Sequence, residues 1–145
     1  MADNLKARMI LGVDLGDART GLAVYGKSGS IAVGAGTIRG ASFRETAEAV
    51  AEAAKREGAE LIVVGNPVNM NGTEGPRSEK CRAFAELLRE LSGIAVELFD
   101  ERLTTVVAHQ YLSESGVHGK KRKNTVDELS ATLILQDWAD RNAKR

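Results

Sequence analysis

The sequence predicts one α/β domain in which a mixed five-stranded sheet carries helices on both faces. Three observations lead to this prediction. Near the start of the chain, three short apolar runs are joined by connections that are too short for anything but antiparallel pairing. Two later apolar runs each follow a helical pattern, and this alternation favours parallel strands. The 145 residues contain no internal repeat and no linker, so we expect a single domain spanning residues 1–145.

Glycine-rich turns separate the first three strands, which are expected at residues 9–14, 21–25 and 30–38. Together they predict an antiparallel meander. The two later strands are expected at residues 61–64 and 94–99. Since the first of these is continuously apolar, it is typical of a strand that is covered on both faces.

Helical spacing of apolar residues predicts four helices, at residues 42–58, 77–91, 105–115 and 125–142. Capping-box patterns mark the start of the first helix, at Ser42 and Glu45, and of the last, at Thr125 and Glu128. The loop at residues 65–76 is long for a strand-to-helix connection, which favours a functional role.

The turn between the first two strands carries the first candidate residues. Asp14 is expected to end the first strand, with its carboxylate at the edge of the sheet. Gly16 and Gly21 have no Cβ, so a phosphate or a metal ion could approach the backbone, and Arg19 places a cation between them. Asp17 is interpreted as a turn residue without assigned chemistry. Taken alone, the stretch is equally compatible with an ordinary hairpin.

Composition is that of a globular domain, with 43% apolar and 28% charged residues. No apolar run approaches the length of a membrane span, and the single cysteine, Cys81, excludes an internal disulfide. We therefore expect a cytoplasmic protein with no membrane partner. Lysine plus arginine and aspartate plus glutamate each total 20, so the net charge does not indicate nucleic-acid binding, and such a role depends on where the charges lie.

Three acidic residues are expected at the ends of elements, where sites form in open α/β sheets. They are Asp14, Glu101 just past the last strand, and Asp127 in the first turn of the last helix. Carboxylates that are brought together tolerate one another best around a divalent cation, and this oxygen-only set favours Mg²⁺ or Mn²⁺. Each also has a plainer interpretation: Asp127 as a partner of the helix dipole, and Glu101 in a surface ion pair with Arg102.

Four consecutive cations, Lys120, Lys121, Arg122 and Lys123, are expected in a loop at residues 117–124. Most charged runs are simply solvated. Here Asp127 follows within about one helical turn, and a basic loop beside an acidic metal site suits a polyanion whose phosphate reaches the metal.

Four stretches match one bacterial family in order. They are Asp14-x-Gly16 with Arg19 and Gly21, Gly65-x-Pro67 with Met70, Gly72, Thr73 and Glu74, Asp100-Glu101-Arg102-Leu103-Thr104-Thr105, and Asp127 in the segment that ends Ile134-Leu135-Gln136. On these motifs the chain resembles the YqgF family of Holliday-junction-resolvase-like proteins over about residues 8–140. The resemblance implies a ribonuclease-H-like fold.

The resemblance also implies a metal-dependent endonuclease that matures the 5′ end of precursor 16S ribosomal RNA. By matching position, Asp14, Glu101 and Asp127 would be the catalytic metal ligands. Residues expected to contact substrate are Gly16, Arg19, Gly21, Asn71, Arg102, Thr104, Thr105 and the basic run Lys120, Lys121, Arg122 and Lys123. Two positions depart from relatives that carry acids there, Asn71 and Ser130, and three carboxylates would hold a second metal only with help from substrate phosphate.

Other functions remain open at this point. A resolvase acting on four-way DNA junctions would need two sites in a homodimer, whereas RNA processing is compatible with a monomer. Asp-x-Gly turns also occur in actin-like ATPases and sugar kinases, so the domain could bind ATP. A non-catalytic RNA-binding module for ribosome assembly is the third alternative. The expected partner is nucleic acid, either a structured precursor rRNA or a DNA junction.

Overall fold

The computed structural model describes residues 8–26, 31–67, 71–100 and 119–143. Their strands and helices, in chain order, are β1 (Ile10–Asp14), β2 (Arg19–Tyr25), β3 (Ala32–Arg39), α1 (Phe43–Glu57), β4 (Leu61–Asn66), α2 (Pro76–Ser92), β5 (Ala95–Asp100) and α3 (Gly119–Ala143). The helix predicted at residues 105–115 lies outside the described residues.

The five strands form one mixed sheet in the order β3-β2-β1-β4-β5. β1, β2 and β3 pair antiparallel, whereas β4 pairs parallel with both β1 and β5. The predicted meander with two parallel strands is therefore confirmed. Parallel pairing brings the carboxyl ends of β1, β4 and β5 to the same edge of the sheet, which we call the carboxyl edge.

Each face of the sheet has its own apolar core, which follows from the alternation of side chains along the strands. Leu11 and Val13 of β1 pack on the side of α1 and α2, with Phe84 and Leu88 of α2. Ile10 packs on the other side, with the α3 residues listed here: Ala131, Ile134, Leu135, Trp138 and Ala139. The prediction of helices on both faces is confirmed, and β4 contributes buried side chains to both cores.

α1 begins and ends where the sequence predicts. The backbone N–H of Glu45 donates to Ser42 Oγ at 3.1 Å, and the N–H of Ser42 donates to Glu45 Oε1 at 2.9 Å, which completes the capping box. Gly58 follows the helix in the left-handed conformation, at φ 72°.

The predicted start of the last helix is wrong. α3 begins at Gly119, so Lys120, Lys121, Arg122 and Lys123 belong to its first turns and not to a loop at residues 117–124. The second capping-box pattern does not mark the start, because Thr125 lies inside the helix. Lysine and arginine are good helix formers, so the basic run continues the helix.

Other boundaries differ from the prediction by one or two residues, and three of these differences lie near the carboxyl edge. β2 begins at Arg19, two residues before the predicted start. β4 extends through Asn66, which shortens the predicted loop at residues 65–76. β5 extends to Asp100, one residue beyond the predicted end of the strand.

Glycine allows α3 to approach the sheet closely. A Cβ at Gly12 of β1 would lie 2.8 Å from Leu135 Cβ and 3.3 Å from the Ala131 carbonyl oxygen. On β3, Glu128 Oε1 occupies the place of a Cβ at Gly34, and the Ala32 N–H donates to Gln136 Oε1 at 2.8 Å. Going forward along β3 from Ala32 to Gly34 therefore corresponds to going back along α3 from Gln136 to Glu128. Because β3 runs in the same direction as β1, the N-terminal end of α3 points toward the carboxyl edge.

We predict that Gly12→Ala lowers the free energy of unfolding by about 1–3 kcal/mol, because the added methyl group overpacks the contact with Leu135. Trp138 is the only tryptophan and lies on α3, so its fluorescence should also change in the folded variant. Ser42→Ala is the matched control: it removes the α1 cap at a cost of about 1 kcal/mol and should leave the Trp138 emission of the folded state unchanged. Unaltered stability and emission in Gly12→Ala would contradict the close packing.

Candidate active site

Asp14 lies at the carboxyl edge between two positions that have no side chain. It is the half-buried last residue of β1, and its partner on β2 is Gly21. On the other side, Gly65 of β4 follows directly after the Val13–Val64 pair. Asp14 alternates in phase with Ile10, so its carboxylate is on the face that α3 covers. The strand positions on either side of Asp14 therefore carry no side chain of their own.

Beyond Gly21, the next position at the same level is Thr37 of β3. The Thr37 hydroxyl is buried, and among the described residues it is the one buried side-chain polar group without a hydrogen-bond partner. A buried hydroxyl left in this state costs about 1–3 kcal/mol. Two residues further along β3, Arg39 is opposite Arg19 in the register, so two cations flank the same end of the strands.

The helical backbone brings Asp127 to this edge. Asp127 lies one helical turn before Ala131, whose carbonyl lies over Gly12, and Asp14 is two residues beyond Gly12 along β1. One helical turn rises about 5.4 Å and two strand residues span about 6.6 Å, so Asp127 reaches the level of Asp14. Sequence reasoning predicted this convergence, and the described backbone is compatible with it.

Asp100 lies on the face of the sheet opposite to that of Asp14. It pairs in register with Asn66 of β4, whose Oδ1 accepts a 2.6 Å hydrogen bond from Ser78 Oγ of α2. Partners in a parallel pair point the same way, so Asp100 is on the α2 side, whereas Asp14 is on the α3 side. Glu101, Arg102, Thr104 and Thr105 lie outside the described residues. Within the described part of the chain no three acidic, histidine or cysteine side chains gather into a metal-binding group, so the carboxylate triad remains a prediction.

Gly16 has a structural role in the turn. A Cβ at this position would overlap the carbonyl oxygen of Arg19, so the tight turn excludes any larger residue. The Gly16 N–H points to Thr20 Oγ1 at 3.4 Å. This steric requirement accounts for glycine at position 16 even if no ligand binds there. The contacts of Gly16, Gly21 and Arg19 with substrate remain predictions.

Asn71 and Ser130, the two departures from the acidic pattern, have ordinary structural environments. Asn71 Oδ1 accepts hydrogen bonds from the Thr73 N–H at 3.1 Å and the Thr73 hydroxyl at 2.7 Å. These contacts need only an acceptor oxygen, which aspartate and asparagine both provide. Ser130 is 8% exposed within α3. The contact of Asn71 with substrate remains a prediction, as does that of the basic run.

A charged cluster that the sequence analysis missed lies beside the turn. Asp17 accepts from Arg77 Nη1 at 3.2 Å and from Lys80 Nζ at 2.9 Å, and Arg77 Nη2 donates to the Leu15 carbonyl at 3.3 Å. The hydrogen bond and charge of Lys80, and then the charge of Arg77, hold the pKa of Asp17 below its usual value. The sequence signal was the pair of cations three residues apart at the start of α2, but nothing local connects it to a turn 60 residues away.

The sequence comparisons give a consistent result. The RuvX family, described as Holliday junction resolvase, matches residues 8–141. The chain is 46% identical over 132 residues to a Caldanaerobacter subterraneus protein named "Putative pre-16S rRNA nuclease", covering 90% of this chain and 95% of that one. It is 41% identical over 130 residues to a Myxococcus xanthus protein of the same name, covering 90% and 86%.

Solved structures resemble the fold at low sequence identity. Thermus thermophilus RuvC in complex with a Holliday junction substrate matches with a TM-score of 0.56 and 16% identity, covering 94% of this chain and 97% of that one. Fowlpox virus resolvase in complex with Holliday junction DNA matches with a TM-score of 0.54 and 11% identity, covering 92% and 98%.

The fold class is therefore that of the RuvC-like resolvases, which is the ribonuclease-H-like fold that the resemblance implied. Within that class, the chain belongs to the RuvX family, to which the name YqgF also refers. Both predictions are confirmed.

We predict that Lys80→Met raises the pKa of Asp17 toward its ordinary value of 3.8, because the variant removes the hydrogen bond and the charge that lower it most. The lowered pKa means that this cluster stabilises the fold above the unfolded-state pKa, and that the contribution is lost as the pH falls through the folded-state pKa. An NMR titration of the Asp17 carboxyl group measures the shift. Lys55→Met, which removes an equal charge from a lysine on α1 that donates to Leu91, is the control and should leave this pKa unchanged.

Proposed function

We propose that this RuvX-family chain is a metal-dependent endonuclease that processes the 5′ end of precursor 16S rRNA. The hydrolase class follows from the family and from its relatives, which are named as nucleases. The structural observation that carries the site is the Asp14 carboxylate, at the carboxyl edge between Gly21 and Gly65. Nucleic acid is the partner, and we propose precursor rRNA because the relatives at 40–46% identity bear that name.

The residues present fit a hard divalent cation. Asp14 supplies a carboxylate beside bare backbone, and the buried Thr37 hydroxyl at the same level is in need of a partner such as an ordered water. We propose that Asp14, Glu101 and Asp127 hold Mg²⁺ or Mn²⁺. When bound, such an ion lowers the pKa of a coordinated water and stabilises charge on phosphate oxygens.

The chain's own residues then bind and orient the phosphodiester. Arg19 begins β2 and Arg39 ends β3, opposite each other in the register, so two cations lie close enough together to attract one phosphate. Gly21, opposite Asp14 in the register, adds no side chain that would hinder the approach of a phosphate oxygen to Asp14. Arg19 would stabilise the negative charge that develops on the phosphate, and Arg102 is the alternative predicted from the sequence.

The basic run at the start of α3 would bind flanking phosphates. Lys120 to Lys123 belong to the same helical end that carries Asp127, so contacts with the backbone of the nucleic acid would hold the substrate next to the acid. Such contacts add affinity and salt dependence without sequence preference.

Cleavage of four-way DNA junctions is the second candidate function, supported by the description of the RuvX family. The structures bound to Holliday junctions are only 11–16% identical to this chain, so they support the shared fold and not the substrate. Solution mass with and without a junction separates the two, since resolution needs paired sites and a strict monomer favours RNA processing. ATP binding and non-catalytic RNA binding have less support than nuclease activity. No helix in the described residues could span a membrane, and a cytoplasmic location remains a prediction.

We predict that Asp14→Asn reduces the Mg²⁺-dependent cleavage of a precursor 16S rRNA fragment by at least about 100-fold, because the variant removes a carboxylate from the metal site. The measurement is the single-turnover rate, with isothermal titration of Mn²⁺ to follow metal binding. Asp140→Asn makes the same change at an exposed position of α3 and should retain full activity. Full activity of Asp14→Asn on both rRNA and a DNA junction would exclude this site.

A further inference from the structure

A small basic cluster faces solvent beside the turn that carries Asp14. Arg77 and Lys80, from the first turns of α2, both contact the carboxylate of Asp17, at 3.2 and 2.9 Å. The second terminal nitrogen of Arg77 donates to the carbonyl of Leu15, the residue that follows Asp14. The guanidinium is thus held one residue away from the proposed metal ligand.

The charges in this cluster do not balance. Two cations share one carboxylate, which leaves a net charge of +1. All three side chains are exposed, at 55% for Arg77, 42% for Lys80 and 72% for Asp17. Ion pairs at such positions contribute only about 0–1 kcal/mol, so an incoming anion can replace the carboxylate at little cost.

A phosphate group offers this cluster anionic acceptor oxygens, as the carboxylate does. The free N–H groups of a guanidinium donate to either anion, and a lysine ammonium donates to either as a point charge. A nucleic-acid strand with one phosphodiester at Asp14 continues with another phosphate a nucleotide away. The contact of Arg77 with the Leu15 carbonyl places the cluster beside the backbone that follows Asp14, at the carboxyl edge but on the α2 side of the sheet. A strand that passes over this edge from Asp14 reaches the cluster.

We propose that Arg77 and Lys80 form a phosphate-binding subsite for the strand that enters the active site, and that Asp17 occupies this subsite until the strand displaces it. The inference rests on the proposed nuclease function. It assigns to Asp17 the role of an internal competitor, which lowers the affinity for any polyanion too short to contact the metal site as well.

A purely structural role makes the opposite prediction. If the cluster only fastened the turn to α2, removing the Asp17 carboxylate would loosen the turn and weaken substrate binding. If Asp17 competes with phosphate, its removal frees two cations and strengthens binding.

The experiment measures binding of a fluorescently labelled single-stranded RNA oligonucleotide to the full chain, in EDTA so that no cleavage occurs. We expect Asp17→Asn to bind at least about threefold more tightly than the unaltered chain, which corresponds to about 0.7 kcal/mol. Lys80→Met and Arg77→Gln should each weaken binding and lower the slope of log K against log salt by about 1.

The matched control is Glu86→Gln. Glu86 pairs with Arg89 at 2.8 Å near the other end of α2, and Arg89 also donates to the carbonyl of Val96. The variant changes the net charge by the same amount and frees an arginine in a similar arrangement, far along the helix from Asp14. It should tighten binding by much less than Asp17→Asn.

Equal effects of Asp17→Asn and Glu86→Gln, or weaker binding by Asp17→Asn, would overturn the subsite. Should Asp17→Asn fail to fold, Lys80→Met and Arg77→Gln against Lys55→Met provide the test through the salt slope, which falls by about 1 when a phosphate contact is lost and is unchanged if the cluster only fastens the turn. Cleavage of precursor rRNA by the unaltered chain is measured separately. If the chain cleaves precursor rRNA but Asp17→Asn does not bind RNA more tightly than Glu86→Gln, the subsite alone is refuted. If Asp17→Asn binds more tightly but the chain does not cleave, the nuclease proposal is refuted and a nucleic-acid-binding surface is left.

Discussion

The close approach of α3 to the sheet is the constraint on which the rest of this structure depends. Gly12 and Gly34 leave the room that the helix occupies, and Leu135 and Glu128 fill it. A larger residue at Gly12 would meet Leu135 Cβ and the Ala131 carbonyl oxygen and force the helix away from the strands, whereas one at Gly34 would displace only the tip of the flexible Glu128 side chain. Since the N-terminal end of α3 points toward the carboxyl edge, the distance of the helix from the sheet also sets how near the backbone of Asp127 lies to Asp14. The packing of α3 in the core therefore also determines the geometry of the proposed site.

Strand alternation then divides the polar residues of the carboxyl edge between two faces. Asp14 and Thr37 are on the α3 side, where we propose that the metal ion is held. Asn66 and Asp100 are on the α2 side, where Asn66 is held by the buried Ser78 hydroxyl. Asp100 therefore lies on the face opposite to that of Asp14 and is not expected to contribute to the proposed metal site.

Most of the sheet was predictable from local signals, whereas the cluster around Asp17 was not. Short connections dictated the meander, and the Ser42–Glu45 pattern located the start of α1 because caps act within one turn. The Thr125–Glu128 pattern failed because good helix formers precede it, so the helix extends through the basic run to Gly119. Candidate acids were visible as residues at strand ends. The partners of Asp17 come from a helix distant in sequence, and only the tertiary fold joins them.

The same tertiary contact changes how the turn after β1 should be understood. Only glycine fits at position 16, because a Cβ would overlap the Arg19 carbonyl oxygen. The glycine therefore allows the turn to be sharp but does not fix how the turn is oriented relative to α2. Orientation is fixed from outside, by Arg77 at the carbonyl of Leu15 and by the shared hold on Asp17. These contacts are exposed and individually weak, so the backbone next to Asp14 is held by bonds that a polyanion can exchange. In the proposed subsite, arrival of a phosphate strand would therefore also change how the backbone next to the Asp14 carboxylate is held.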